Sequence, residues 1–383
     1  MIDFDNVIPR NGTDSLKWDK YKGTEVLPFW VADMDFEVAE PIQSALATRL
    51  QHPVFGYSVA PADLTDAVTE HLRRFYDWQV EPDWIVWLPG VVPGLAVSCR
   101  AFCPDDHQVV VNPPIYHHFY DAHELDRQEI VRVPLKRSEN RWTYDMPAME
   151  AAFGDKTRLM MMCSPHNPTG TVFKADELQA VASLCRKHDV IMVSDEIHCD
   201  LVFDPAARHI PTAVACPDMA DRIITLMSGS KTWNIAGLNC SFAIISNAEL
   251  RKQFKTSCQS IVSMVPPLAY EATRAAYERG DAWRQELLKY LAANYAWLRE
   301  NLNELPGVNV EPIQATYLAW IDCTGLGLDN TQAFFERHGV GLSSGEQFGQ
   351  PGYVRLNFAC PRATLAEGVR RMQNAIRELQ ASS

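Results

Sequence analysis

The sequence predicts an α/β protein: a large domain built on a mostly parallel sheet, followed by a smaller α+β domain. Three observations carry this. Short apolar runs recur through the middle of the chain, amphipathic stretches separate them, and the texture changes near Ala282. The runs "QVVVNPP" (108–114), "EIVRVPL" (129–135), "RLMMMCSP" (158–165), "VIMVSDE" (190–196) and "RIITLMS" (222–228) are short and continuously apolar, as strands buried on both faces are. Between two of them, "KADELQAVASLCRKHD" (174–189) places Leu178, Val181, Ala182, Leu184 and Cys185 on one helical face. Strands alternating with helices give a parallel sheet. The polar tail after each strand then falls at the sheet's C-terminal edge, where such folds bind ligands.

From Ala282 onward the order differs. "DAWRQELLKYLAANYAWLRENLNEL" reads as a long amphipathic helix stopped by Pro306-Gly307. After it come strand-like "YLAWIDC", "VGLSSG" and "YVRLNFA", then a last helix, "TLAEGVRRMQNAIRELQ". The expected division is a large domain over 46–281 and a small one formed by 1–45 with 282–383. No internal repeat or low-complexity tract is visible.

Composition excludes several functions. The 383 residues carry 35 Lys+Arg against 48 Asp+Glu, a formal charge of −13, which gives no general attraction to nucleic acid or anionic membrane. The longest apolar runs are far too short to span a bilayer. "MIDFDNVIPRNG" lacks the basic and apolar regions of a signal peptide. Ten scattered cysteines without Cys-x-x-Cys read as reduced thiols of a cytoplasmic protein. Zinc is not expected either: the adjacent histidines of "HQVVVNPPIYHHF" would point apart on a strand.

One stretch raises a chemical question. "MSGSKTWNIAGLN" (227–239) contains Gly-Ser-Lys-Thr, close to the end of a phosphate-binding P-loop. The P-loop needs Gly before its Lys and another Gly five residues earlier; here those positions hold Ser230 and Thr225. Lys231 is then either a solvated loop lysine or a chemical one. Small hydroxyl residues, Ser228 and Ser230, flank it, and Gly229 and Gly237 allow close backbone approach. Three further strand-end clusters share the pattern. "CSPHNPTG" (163–170) holds Asn167 between prolines, and "VSDEIHCD" (193–200) puts Asp195 at a strand end with His198 three residues on. "LPGVVPGL" (88–95) opens a helix whose free N–H groups suit an anion. Each has a plain reading as a turn or cap; their joint occurrence carries the weight.

These motifs, with "YVRLNFACPR" near the C-terminus, resemble the fold-type I pyridoxal 5′-phosphate (PLP) enzymes of the aspartate aminotransferase superfamily. "LPFWVADMDFEVAEPI" (27–42), "FGYS" (55–58), "DEIHCDLVF" and "SKTWNIAGLNCS" resemble its cystathionine β-lyase-like subgroup, the PatB/MalY-type C–S lyases. Two positions depart from the aminotransferases: His198 stands where tyrosine is usual, and Asn239 where many carry a phosphate-binding arginine.

The resemblance implies a seven-stranded-type sheet and a chemistry. Lys231 is implied to form the Schiff base with PLP and then to act as the base at Cα. Asp195 pairs with the pyridinium nitrogen, Asn167 donates to the ring 3-oxygen with His198 assisting, and Tyr116 stacks on the ring. Val91 and Val92 N–H groups, Ser228, Ser230 and Tyr57 hold the phosphate. Arg355 grips the substrate α-carboxylate, and main chain near Ala32 and Asp33 closes over it. Tyr57 is implied to reach the site of a second copy, where it is also placed near the leaving group, so a homodimer with shared sites is expected. The substrate is an amino-acid thioether, with Phe29, Trp30 and Tyr120 as candidates around its leaving group. An aminotransferase using the same lysine, and a PLP-binding regulator acting through protein contact, are the alternatives.

Overall fold

The structure, a computed structural model, describes residues 2–121 and 128–381. Its centre is a seven-stranded sheet. The strands are β1 (Ile85–Leu88), β2 (Gln108–Val111), β3 (Glu129–Arg132), β4 (Thr157–Cys163), β5 (Ile191–Asp195), β6 (Ile223–Met227) and β7 (Ser241–Ile244). Their order across the sheet is β1-β7-β6-β5-β4-β2-β3. β7 runs antiparallel to both its neighbours, β1 and β6; β6, β5, β4, β2 and β3 are mutually parallel. All five strands read from the sequence lie in this sheet. The two it did not mark, β1 and β7, form the edge where the direction reverses.

The pleat sends successive side chains to opposite faces. Leu159 and Met161 of β4 therefore join a core with Leu95, Cys99 and Phe102 of helix α1 (Val91–Phe102). Met160 and Met162 join a separate core with Leu178, Val181 and Cys185 of helix α2 (Ala175–Lys187). Strands covered on both faces have no reason to alternate polar and apolar residues, which is why their sequences read as unbroken runs.

A four-stranded antiparallel sheet follows, in the order β8 (Asn309–Val310), β9 (Leu318–Asp322), β11 (Tyr353–Asn357), β10 (Ser343–Ser344). Helices α3 (Asp281–Asn303) and α4 (Arg362–Ala381) pack against each other beside it. The stretch "VGLSSG" divides: Ser343–Ser344 stays in this sheet, whereas Val340–Gly341 pairs in parallel with Leu27–Pro28. The N-terminal segment is thus attached to the C-terminal part, and Asn357 N–H bonds Phe29 O at 2.8 Å. The expected division at residue 45 falls inside the helix Glu40–Leu50, which is unbroken there.

Candidate active site

Register gathers the site. Cys163 lies beside Asp195, and Asp195 beside Leu226, so β4, β5 and β6 end level with one another. The loops that follow carry Asn167, His198 and Lys231 to one edge of the sheet. The same edge receives the N-terminus of α1, which has no side-chain cap, so the first-turn N–H groups of Val91 and Val92 lack intrahelical acceptors.

Lys231 Nζ donates to Ala32 O at 2.7 Å, and Tyr317 Oη donates to the same carbonyl at 3.0 Å. Burial pushes the Lys231 ammonium down to about 8, and the Arg355 guanidinium adds to that push against Asp33 and Asp195. Asp195, buried, accepts from Ile197 N–H at 3.0 Å; burial pushes its carboxyl up to about 7. His198 is buried and its Nδ1 has no partner. Burial, then the charges of Lys231 and Arg355, hold this imidazole down to about 3, so it is neutral.

Arg355 sits at the centre of β11, in register with Trp320 and Ser343. It is 4% exposed, yet no carboxylate pairs with it among the described residues. Its hydrogens go to Asn167 Oδ1 at 3.0 Å and Trp30 O at 2.9 Å, and the guanidinium lies 4.7 Å from the Phe348 ring centroid. Its Nε is buried without a partner. A buried guanidinium with neutral acceptors alone keeps its charge available for an anion. Because arginine can only donate, it also orients Asn167: Oδ1 faces Arg355, and the amide N–H₂ is left to donate elsewhere.

Tyr116 is part-buried; burial raises its phenol, opposed by Arg355 and reinforced by Asp195 and Asp121. Ser228 has partners within its own loop. Its hydroxyl donates to Cys240 O at 2.7 Å and accepts from Ser230 N–H at 3.0 Å, so its hydrogen is already committed. This bond braces the loop and leaves the Ser230 hydroxyl and the α1 N–H groups as free donors among the described residues. The Asp33 carboxylate is likewise held, by Arg10 at 2.7 Å. Phe29, 1% exposed, belongs to the core, and Tyr57, 96% exposed, makes no hydrogen bond among the described residues.

Sequence reading missed two side chains here. Tyr317 opens "YLAWIDC", where an aromatic reads as strand core. Asn234, three residues after Lys231, accepts from Met34 N–H and donates to Met34 O and Phe36 O, at 2.9, 3.1 and 3.0 Å. Its place in the Lys231 loop was the one available signal. The zinc exclusion also rested on wrong geometry. His117 lies in the turn entering the short helix His118–Asp121 and His118 opens that helix, with ring centroids 4.2 Å apart.

A parallel sheet whose strand ends meet a depressed lysine, a buried carboxyl and an unpaired arginine defines an enzyme site of the α/β kind. Residues 26–372 match the profile of aminotransferase class I and II, and the chain belongs to that family. Cystathionine beta-lyase PatB of Bacillus subtilis is 37% identical, covering 98% of this chain and all of the relative. The crystal structure of OvoB superposes with a TM-score of 0.95 at 42% identity, over 98% of this chain and 99% of that one. A PLP-bound C–S lyase from Staphylococcus hominis gives 0.91 at 32%, over 98% of each chain.

Proposed function

We propose that this chain is a PLP-dependent C–S β-lyase that cleaves amino-acid thioethers, L-cystathionine or cysteine S-conjugates, to pyruvate, ammonia and a thiol. Its full-length likeness to a cystathionine β-lyase and a C–S lyase supports the reaction class. The observation that carries the site assignment is the buried, unpaired Arg355 beside Asn167 and the depressed Lys231.

The residues present fit the cofactor. The uncapped α1 N-terminus and Ser230 suit its phosphate, and the Asn167 amide N–H₂ its ring oxygen. Asp195, at the end of β5, suits a cationic ring nitrogen, whose charge would hold the carboxyl ionised. The unpartnered His198 Nδ1 is a further polar atom for the ring edge. Bound there, PLP would supply an electron sink for the charge left at Cα and a carbonyl group within reach of the Lys231 amine.

The chain's own residues do the rest. Arg355 takes the α-carboxylate through its fork and fixes the direction of the Cα–H bond. Lys231 Nζ, neutral above about pH 8, accepts that proton. Ala32 O steadies the amine while it is free. Loss of the thiolate from Cβ then needs no oxidant or keto acid.

Exposed Leu50, Val54, Phe55, Tyr57 and Val59 in one segment, with Ile261 and Met264, support a homodimer in which Tyr57 serves the neighbouring site. No helix among the described residues is long and apolar enough to cross a membrane. The free cysteines support a reducing compartment, the cytoplasm. The test is product analysis with L-cystathionine. Pyruvate formed without an added keto acid supports the lyase; turnover only when a keto acid is supplied establishes the aminotransferase instead.

A further inference from the structure

We propose that His117, His118 and Asp121 form a binding site for a divalent transition cation, Zn²⁺ foremost, beside the mouth of the candidate active site. One ligand atom from each residue lies within 4.8 Å of the others, and a ring nitrogen of His118 is already 2.9 Å from Asp121 Oδ2. Tetrahedral zinc, with bonds of about 2.0–2.1 Å, holds its ligand atoms about 3.3 Å apart.

The surroundings point the same way. His117 Nδ1 is buried and has no hydrogen-bond partner among the described residues, although the ring as a whole is half-buried. Such an atom is costly unless something binds it. The two imidazole rings pack with their centroids 4.2 Å apart, which keeps their nitrogens close. Two imidazoles with one carboxylate select zinc, cobalt or nickel over magnesium or calcium. Three protein ligands leave a fourth position open, because His118 and Asp121 reach solvent.

The place is specific. Tyr116 touches both rings, at 4.6 and 5.0 Å between centroids, and His117 lies 6.4 Å from Phe348, on whose ring Arg355 rests. A cation there would tie the turn after Tyr116 to the short helix His118–Asp121.

The test uses tag-free holoenzyme stripped with a chelator and dialysed against Zn²⁺ or Co²⁺. The expected result is one metal retained per chain, with visible d–d bands of Co²⁺ in the difference spectrum against metal-free holoenzyme, displaced by Zn²⁺. His118→Ala and Asp121→Asn should each weaken retention by at least about tenfold, since each removes one of three ligands. Their metal-free melting temperatures should match the parent, which separates ligand loss from misfolding. No retained metal, or retention equal in the parent and both variants, would overturn the proposal.

Discussion

Lys231 and Arg355 act on each other through charge, and that coupling is testable one residue at a time. In the proposed reaction the lysine amine accepts a proton only when neutral. With its ammonium pushed down to about 8, kcat should fall tenfold per pH unit below that value and level off above it. Arg355 contributes to the depression, so Arg355→Gln should move this acid limb to higher pH at saturating substrate. The same variant removes a charged hydrogen-bonding fork, worth about 3 kcal/mol, so kcat/KM should drop about 10²-fold. A limb that stays in place in the variant would mean that another group titrates. These residues were legible in the sequence because strand ends, prolines and small neighbours mark Lys231, Asn167 and Asp195. Ser228 was legible as a residue but not as a role, because its bond to Cys240 O crosses a loop the sequence does not show closing.

At the scale of elements, the segment 29–36 lies over the site as a strap. Asn357 Nδ2 donates to Val31 O and Asp33 O at 2.7 and 2.6 Å, and Asn234 holds Met34 and Phe36. Behind it Lys17, fully buried, reaches Asp35 at 2.7 Å, while Arg10 and the Trp18 indole N–H bond the other Asp35 oxygen at 2.6 and 2.9 Å. This strap presents Ala32 O to Lys231. Its partners lie up to 326 residues away in the chain, which is why "WVADMDF" read only as a motif and its acidic residues as loop or cap groups. Asp35→Ala would strand a buried ammonium, and breaking such a pair costs about 3–5 kcal/mol. The urea midpoint should fall accordingly, with no comparable change for exposed Asp189→Ala, whose pair with Arg222 is at the surface. At the edge of the strand-loop element, Gly170 has φ +62°, and an added Cβ would lie 2.3 Å from Ile313 Cβ. Gly170→Ala should therefore destabilise by about 2–3 kcal/mol in the same measurement, from strain and overlap together.

For the whole molecule, patterning made the parallel strands legible but hid the sheet's antiparallel edge. β1 and β7 are four residues each, and the apolar runs of "DWIVWLPG" and "NCSFAIIS" carry no pattern that tells a strand's direction. An assembly would be legible in neither periodicity nor burial within one chain; the proposed one rests on apolar side chains left outside. Tyr57 is the sharpest case, because a tyrosine 96% exposed in a segment with Phe55 and Val59 gains little from water. If a second copy covers this segment, the chain of 43.2 kDa should sediment at about twice that mass. Shared sites make a stronger prediction. Lys231→Ala and Tyr57→Ala should each be inactive or nearly so as homodimers. Unfolded together and refolded, they form mixed dimers in which one site combines Lys231 from one chain with Tyr57 from the other. Random pairing makes about half of all dimers mixed, each with one intact site of two, so about a quarter of the parent activity should return. If each chain instead completed its own site, mixing would restore nothing, and Tyr57 would lose its assigned role while Lys231 kept its own.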